Sequence, residues 1–268
     1  MSQLESEAQS IAEAFVTARR AGMALAEYPG VLPQALAEAY AVQDAAIPVF
    51  GDAISGWKVG RINSPWLEQL AVSRLAGPIF AHSVLPTGNG HIATGEIFKH
   101  GFGAAEAEFV FRIGTAPRAG QTSFSIDDAA ALVDSVFCGI EIASSPFPGI
   151  NTLGPLVTIS DFGNNNGLLL GTEIPEWRNS GFEDWEITTS IDGEAIGSGV
   201  ARNFPGGLLE SVRFLIENLV SRNLPVTPGL LISSGAVTGV HEVCEGQKVE
   251  ARFGNFCALR CDIRHVGR

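Results

Sequence analysis

The sequence predicts an α+β fold, with helices gathered in its first third and strands filling most of the rest. Three observations carry this expectation. Apolar residues recur at helical spacing up to about residue 50, whereas strand-like alternation prevails from about residue 98. Two later helical stretches interrupt the strands without the regular strand–helix alternation of a parallel α/β protein. Asp192-Gly193 and Gly254-Asn255 lie between alternating segments, where tight hairpin turns belong.

Taken in order, Ile11, Phe15 and Ala18 share one face of a first helix, and residues 32–50 read as a second, with Pro33 suited to its first turn. Residues 54–60 read as a strand in which Gly56 and Gly60 flank Lys58. Ser64-Pro65 reads as the cap and first turn of a short helix ending at Leu70. Strands are predicted over 105–113, 136–143, 168–170, 185–191, 230–233, 248–253 and 256–264. Ser125, followed by Asp127 and Asp128, caps one interrupting helix. Leu208, Val212, Leu215 and Leu219 form the apolar stripe of the other, over about 208–220. The chain has no internal repeat or clear linker, and 268 residues suffice for one substantial core.

The formal charge of −12 argues against a nucleic-acid partner, because phosphate backbones require a basic surface. An anionic small molecule needs only local positive charge. No apolar run reaches the roughly 18 residues of a membrane helix, so no membrane association is expected. The acidic amino end lacks the basic and apolar blocks of an export signal. Cys138, Cys244, Cys257 and Cys261 show no C-x-x-C spacing and read as reduced, mostly buried thiols, which makes the expected compartment cytoplasmic.

Candidate chemistry begins with the alternation from Ala105 to Phe111. Its period of two puts Glu106 and Glu108 on one face, with Ala107, Phe109 and Phe111 on the other. Together with Glu141 they admit two readings: outward glutamates on a half-solvated strand, or a site for Mg²⁺ or Mn²⁺, ions that favour carboxylate oxygen. Three carboxylates would leave positions open for the carboxylate and neighbouring carbonyl of a 2-oxo acid, whose enolate a cation stabilises. Lys58 likewise reads either as a sheet lysine reaching solvent or as a proton-transfer group. In the second reading, the missing side chains at Gly56 and Gly60 leave it room and partial burial lowers its pKa. Arg61 reads as an exposed charge at the strand end or as a partner for a second substrate carboxylate. Residues 160–167, SDFGNNNG, read as a connecting loop whose Asp161 and asparagines orient water or a substrate carboxylate if the loop faces the cation. The five histidines show no metal-ligand spacing, and no Walker loop, nucleophile elbow or dinucleotide fingerprint stands in its required context.

With these residues in view, the chain resembles the 2-keto-4-pentenoate hydratase and 4-oxalocrotonate decarboxylase family, within the fumarylacetoacetate hydrolase superfamily. The resemblance rests on an ordered set of segments through most of the chain: AEAYAVQDA, GWKVG, AEAEF, EIASS, SDFGNNNG followed by LLLG, LLESVRFLIENL and PGLLISSGAVTG. It implies an amino-terminal helical and supporting region (1–95) that contributes Lys58, packed on a mixed, distorted β-roll (96–268) that holds the metal. It further implies a divalent ion on Glu106, Glu108 and Glu141, Lys58 as the proton-transfer or substrate-orienting lysine, Asp161 near the pocket, and association into a homo-oligomer. Two departures bear on substrate choice: Arg61-Ile62-Asn63 where relatives commonly carry small hydroxyl residues, and three asparagines in the Asp161 loop.

The resemblance leads to an expected metal-dependent hydratase that adds water to a 2-hydroxy-2,4-dienoate from aromatic-ring breakdown, giving a 4-hydroxy-2-oxo acid. The alternatives are a 4-oxalocrotonate-type decarboxylase, a C–C bond hydrolase and a non-catalytic partner subunit. Retention of Lys58 and all three glutamates weighs against the last.

Overall fold

The computed structural model describes residues 3–88 and 90–267; Met1 and Ser2, which begin the acidic amino end, lie outside the described residues. Two helices open the chain. α1 (Gln3–Ala21) buries Ile11, Phe15 and Ala18, as their spacing predicts. α2 (Leu36–Phe50) starts later than expected, and Pro33 precedes it. Ala35 is still extended, and Glu38 reaches back to accept the Gln34 N–H at 2.8 Å, which satisfies a donor before the helix begins.

The next segment is richer in strand than the sequence signals. β1 (Ile54–Arg61) is followed by α3 (Trp66–Leu70), β2 (Arg74–Phe80), β3 (Val84–Pro86) and β4 (Ile92–Ile97). All seven residues of β2 are buried, so it shows none of the alternation that reveals a half-solvated strand. Ser64 does not cap α3: Pro65 occupies the cap, and the Ser64 hydroxyl donates to Glu68 Oε1 at 2.6 Å.

The remainder is β5 (Phe102–Ile113), α4 (Ile126–Leu132), β6 (Val133–Ser145), α5 (Pro155–Ser160), β7 (Asn165–Glu173), β8 (Glu186–Ile191), β9 (Glu194–Val200), α6 (Leu208–Ser221), β10 (Leu231–Ser233), β11 (His241–Glu242), β12 (Lys248–Phe253) and β13 (Cys257–His265). Ser125 makes the expected capping box with Asp128. Asp192 and Gly193 both take left-handed φ, 52° and 86°, in the β8–β9 turn, and Gly254 takes 50° between β12 and β13.

Among the described residues, one sheet runs β2-β1-β10-β5-β6-β7-β3, with β11 also on β5; a second runs β4-β13-β12-β8-β9. Parallel and antiparallel pairs mix in both, giving the expected α+β architecture of mixed, curled sheets with helices. β1 and β2, from the amino-terminal region, are continuous with β5 and β6, and position 95/96 falls inside β4. The main core lies between the sheets: Ala107, Phe109 and Phe111 of β5 pack there with Cys138 and Ile140 of β6, Phe253 of β12 and Leu215 of α6.

None of the four cysteines is joined in a disulfide. Cys138 and Cys261 are buried, while Cys257 is half-buried and Cys244 exposed, so burial is less general than expected. No helix among the described residues is long and apolar enough to cross a membrane.

Candidate metal centre and cavity

Register builds the site. β5 and β6 pair antiparallel with Glu106 opposite Glu141, and Glu108 follows on the same face of β5. On the other side of β5 lies β10, and beyond it β1, with Lys58 paired to Ser233. Adjacent strands therefore bring Lys58, Glu106, Glu108 and Glu141 together. One carboxylate oxygen from each glutamate lies within 4.8 Å of the others. Glu108 and Glu141 are wholly enclosed and Glu106 nearly so, which rules out the half-solvated reading of β5.

The protein holds one oxygen of two of these carboxylates and leaves the other bare. Glu108 Oε2 accepts from the Ser233 hydroxyl at 2.6 Å and from the Gly235 N–H at 2.8 Å; Oε1 is buried without a partner. Glu141 Oε1 accepts from Asn165 Nδ2 at 2.9 Å and lies 3.4 Å from Lys58 Nζ; Oε2 is buried without a partner. Buried acceptors rarely stay unpaired. With all three carboxylates ionised against one ammonium, the buried cluster is two positive charges short, which one divalent cation supplies. The donor set is all oxygen, which suits Mg²⁺ or Mn²⁺, so the residues present fit such an ion.

The protonation of the cluster follows from burial. Desolvation pushes Glu106 up to about 7, and desolvation, with Glu141 and Glu106 nearby, pushes Glu108 well above the usual carboxylate range. Lys58 reverses its expectation. Burial works to lower its pKa, but Glu141, Glu106 and Glu108 outweigh it and hold the ammonium above its ordinary value. The glycines beside it also divide. At Gly60 a Cβ would lie 3.6 Å from Lys58 Nζ and crowd Leu75 Cδ1 at 3.2 Å, a contact that a flexible side chain can yield. At Gly56 the space is already taken, because a Cβ would meet Leu231 O of β10 at 2.5 Å.

A cavity of about 500 Å³ opens above this cluster. Lys58, Glu106 and Asn164 border it, with Asn151, Thr158 and Trp66 along its walls. Arg61, exposed at the end of β1, also lines it, its guanidinium 5.7 Å from the Phe204 ring centre. No histidine among the described residues lines it.

Asp161 departs from its expected place at the substrate. It is buried and paired with Arg19 of α1, Nε to Oδ1 at 2.5 Å and Nη2 to Oδ2 at 3.0 Å, and is not among the cavity residues. Its loop faces the site through the asparagines instead. Lys58 Nζ donates to Asn164 Oδ1 at 3.2 Å, Asn164 Nδ2 donates to Asn151 Oδ1 at 3.2 Å, and Asn165 holds Glu141. Sequence reasoning assigned no role to Ser233 or the Gly235 amide, although their segment, LLISSGAVTG, carries part of the resemblance.

The arrangement of helices and curled mixed sheets is that of the fumarylacetoacetate hydrolase fold. Comparison with solved structures bears this out. The 4-oxalocrotonate decarboxylase of Pseudomonas putida G7, complexed with magnesium and adipate, superposes with a TM-score of 0.82 at 18% identity, over 97% of this chain and 98% of that one. Fumarylpyruvate hydrolase of Pseudomonas aeruginosa, in complex with Mn²⁺ and pyruvate, gives 0.57 at 15% identity, covering 78% and 88%. The 2-hydroxyhepta-2,4-diene-1,7-dioate isomerase of Mycobacterium marinum gives 0.55 at 14%, covering 81% and 78%. No protein-family model and no curated protein sequence matches the chain.

Proposed function

We infer that this chain is a divalent-metal-dependent enzyme acting on a small 2-oxo acid through its enol or enolate, and that it hydrates a 2-hydroxy-2,4-dienoate. The observation that carries the reading is the pair of bare buried oxygens, Glu108 Oε1 and Glu141 Oε2, beside Glu106 and Lys58 at the foot of a cavity. Glu106, Glu108 and Glu141 would hold the ion. When bound, Mg²⁺ or Mn²⁺ supplies Lewis-acid stabilisation of the negative charge that develops on the oxygen at C2. The neighbours that carry magnesium with adipate and Mn²⁺ with pyruvate support the same pairing of cation and carboxylate ligand.

Lys58 is the proton carrier. The surrounding carboxylates keep Nζ charged, and its hydrogen bond to Asn164 Oδ1 fixes its direction. It delivers a proton to C5 of the dienol and recovers one from the hydroxyl at C2, which leaves an α,β-unsaturated ketone. Water then adds at C4 and gives the 4-hydroxy-2-oxo acid. Asn151 and Thr158, neutral hydrogen-bonding groups on the cavity wall, suit a pocket that admits that water.

A second reading, decarboxylation of a 4-oxalocrotonate-like diacid, is favoured by Arg61, the arginine lining the cavity, and by the near full-length superposition on a decarboxylase. Both reactions need the same enolate. Purified protein with Mg²⁺ is to be offered 2-hydroxy-2,4-pentadienoate and, separately, the diacid. Loss of the dienol ultraviolet band with formation of 4-hydroxy-2-oxo acid is the expected result. Carbon dioxide release without hydrated product selects the second reading, and no reaction with either substrate sinks both.

A further inference from the structure

We propose that Arg19, on α1 and outside the cavity, is a positioning residue for the metal centre, acting by clamping the segment that supplies Asn164 and Asn165. The guanidinium is buried, and every nitrogen is used. Beyond its two bonds to the Asp161 carboxylate, Nη1 donates to Asn165 O at 3.0 Å and Asn166 Oδ1 at 3.2 Å, and Nη2 donates to Ser144 O at 3.1 Å and Asp161 O at 3.3 Å. Phe98 and Phe162 flank it, with ring centres 5.5 and 5.2 Å away. One side chain thus ties the end of β6, three residues past Glu141, to the first residue of β7, whose amide holds Glu141.

The tied segment needs holding. Phe162, Gly163 and Asn164 are consecutively left-handed, at φ 54°, 63° and 58°, a region that glycine and asparagine tolerate but that is costly for Phe162. That turn aims Asn164 at Lys58 and Asn165 at Glu141. A buried ion pair is poor evidence of stabilisation, because desolvating both charges offsets their attraction. Fixing a strained turn against the metal centre gives this one a use. Groups behind metal ligands set affinity through the orientation they impose.

This inference rests on reading Glu106, Glu108 and Glu141 as a cation site. The test is Mn²⁺ affinity by calorimetric titration of wild type, Arg19→Lys, Asn165→Ala and the double variant, with near-ultraviolet circular dichroism as the check on folding. Arg19→Lys keeps a charge for Asp161 but loses the planar fork, and it is expected to raise the Kd about tenfold. Asn165→Ala is expected to do the same, and the double variant little more than either alone, since both act through one linkage. A Kd for Arg19→Lys within twofold of wild type, or fully additive effects, overturns the proposal. Should Arg19→Lys fail to fold, the uncharged pair Arg19→Gln with Asp161→Asn replaces it in the same titration, since it removes the fork without leaving a buried charge unpaired, and an unchanged Kd there overturns the proposal equally. Wild-type protein that binds no Mn²⁺ removes the cation site itself. Wild-type binding with unaltered variants removes only the role of Arg19.

Discussion

Glu106 stands directly opposite Glu141 across the β5–β6 ladder, so two carboxylates that would repel are held face to face inside the protein. Burial places the Glu106 carboxyl at about 7, against an ordinary value of 4.5. A folded-state pKa above the unfolded one stabilises the protein fully below the unfolded value, and that stability is lost as pH rises through the folded value. The metal-free protein should therefore lose stability from this group between pH 4.5 and about 7, and the rise in Tm on adding Mg²⁺ should grow over the same interval. Calorimetric scans with and without Mg²⁺ check both trends, and Glu106→Gln should flatten the first.

Lys58 and a bound cation compete for the same carboxylates. Lys58→Met should abolish turnover while tightening divalent-cation binding by about tenfold or more at pH 8, because a like charge 3.4 Å from Glu141 is gone. Mn²⁺ titration beside a turnover assay measures the two opposite effects.

Arg61 lines the cavity without a carboxylate partner among the described residues, its side chain resting near Phe204. If it receives a second substrate carboxylate, Arg61→Ala should raise KM for a dicarboxylate roughly 10- to 100-fold, in line with the loss of a charge-assisted hydrogen bond, and leave a monocarboxylate little changed. Steady-state kinetics on both substrates decide whether this arginine discriminates.

Gly77 lets the asparagine loop approach β2, since a Cβ there would lie 2.1 Å from Phe162 O. Gly77→Ala should push the loop off Lys58, costing about 1–3 kcal/mol of stability by overpacking, and lower kcat more than that loss explains. Chemical denaturation paired with kcat separates the two effects.

Much of the fold was legible because half-buried strands alternate and α6 carries a clear apolar stripe. The β2 strand was not, because a strand buried on both faces loses its period. In the site, Glu106 and Glu108 announced themselves by spacing, but their meeting with Glu141 and Lys58 depends on register between strands distant in sequence. Asp161 misled because a carboxylate in a polar loop reads as functional, whereas its partner, Arg19, lies 142 residues away on a helix whose pattern signals only packing. Asn165 was harder still, for its role exists only once β6 and β7 are paired.

Enolisation itself is the most direct test. A saturated 2-oxo acid such as 2-oxopentanoate, in deuterated buffer with Mg²⁺, exchanges its C3 hydrogens only as fast as its enol forms, and proton NMR follows the exchange. Exchange by the wild-type protein well above that of Mg²⁺ alone, lost on chelation and in both Glu108→Gln and Lys58→Met, is the predicted result. Exchange no faster than with Mg²⁺ alone, in folded protein shown to bind the ion, would contradict the account.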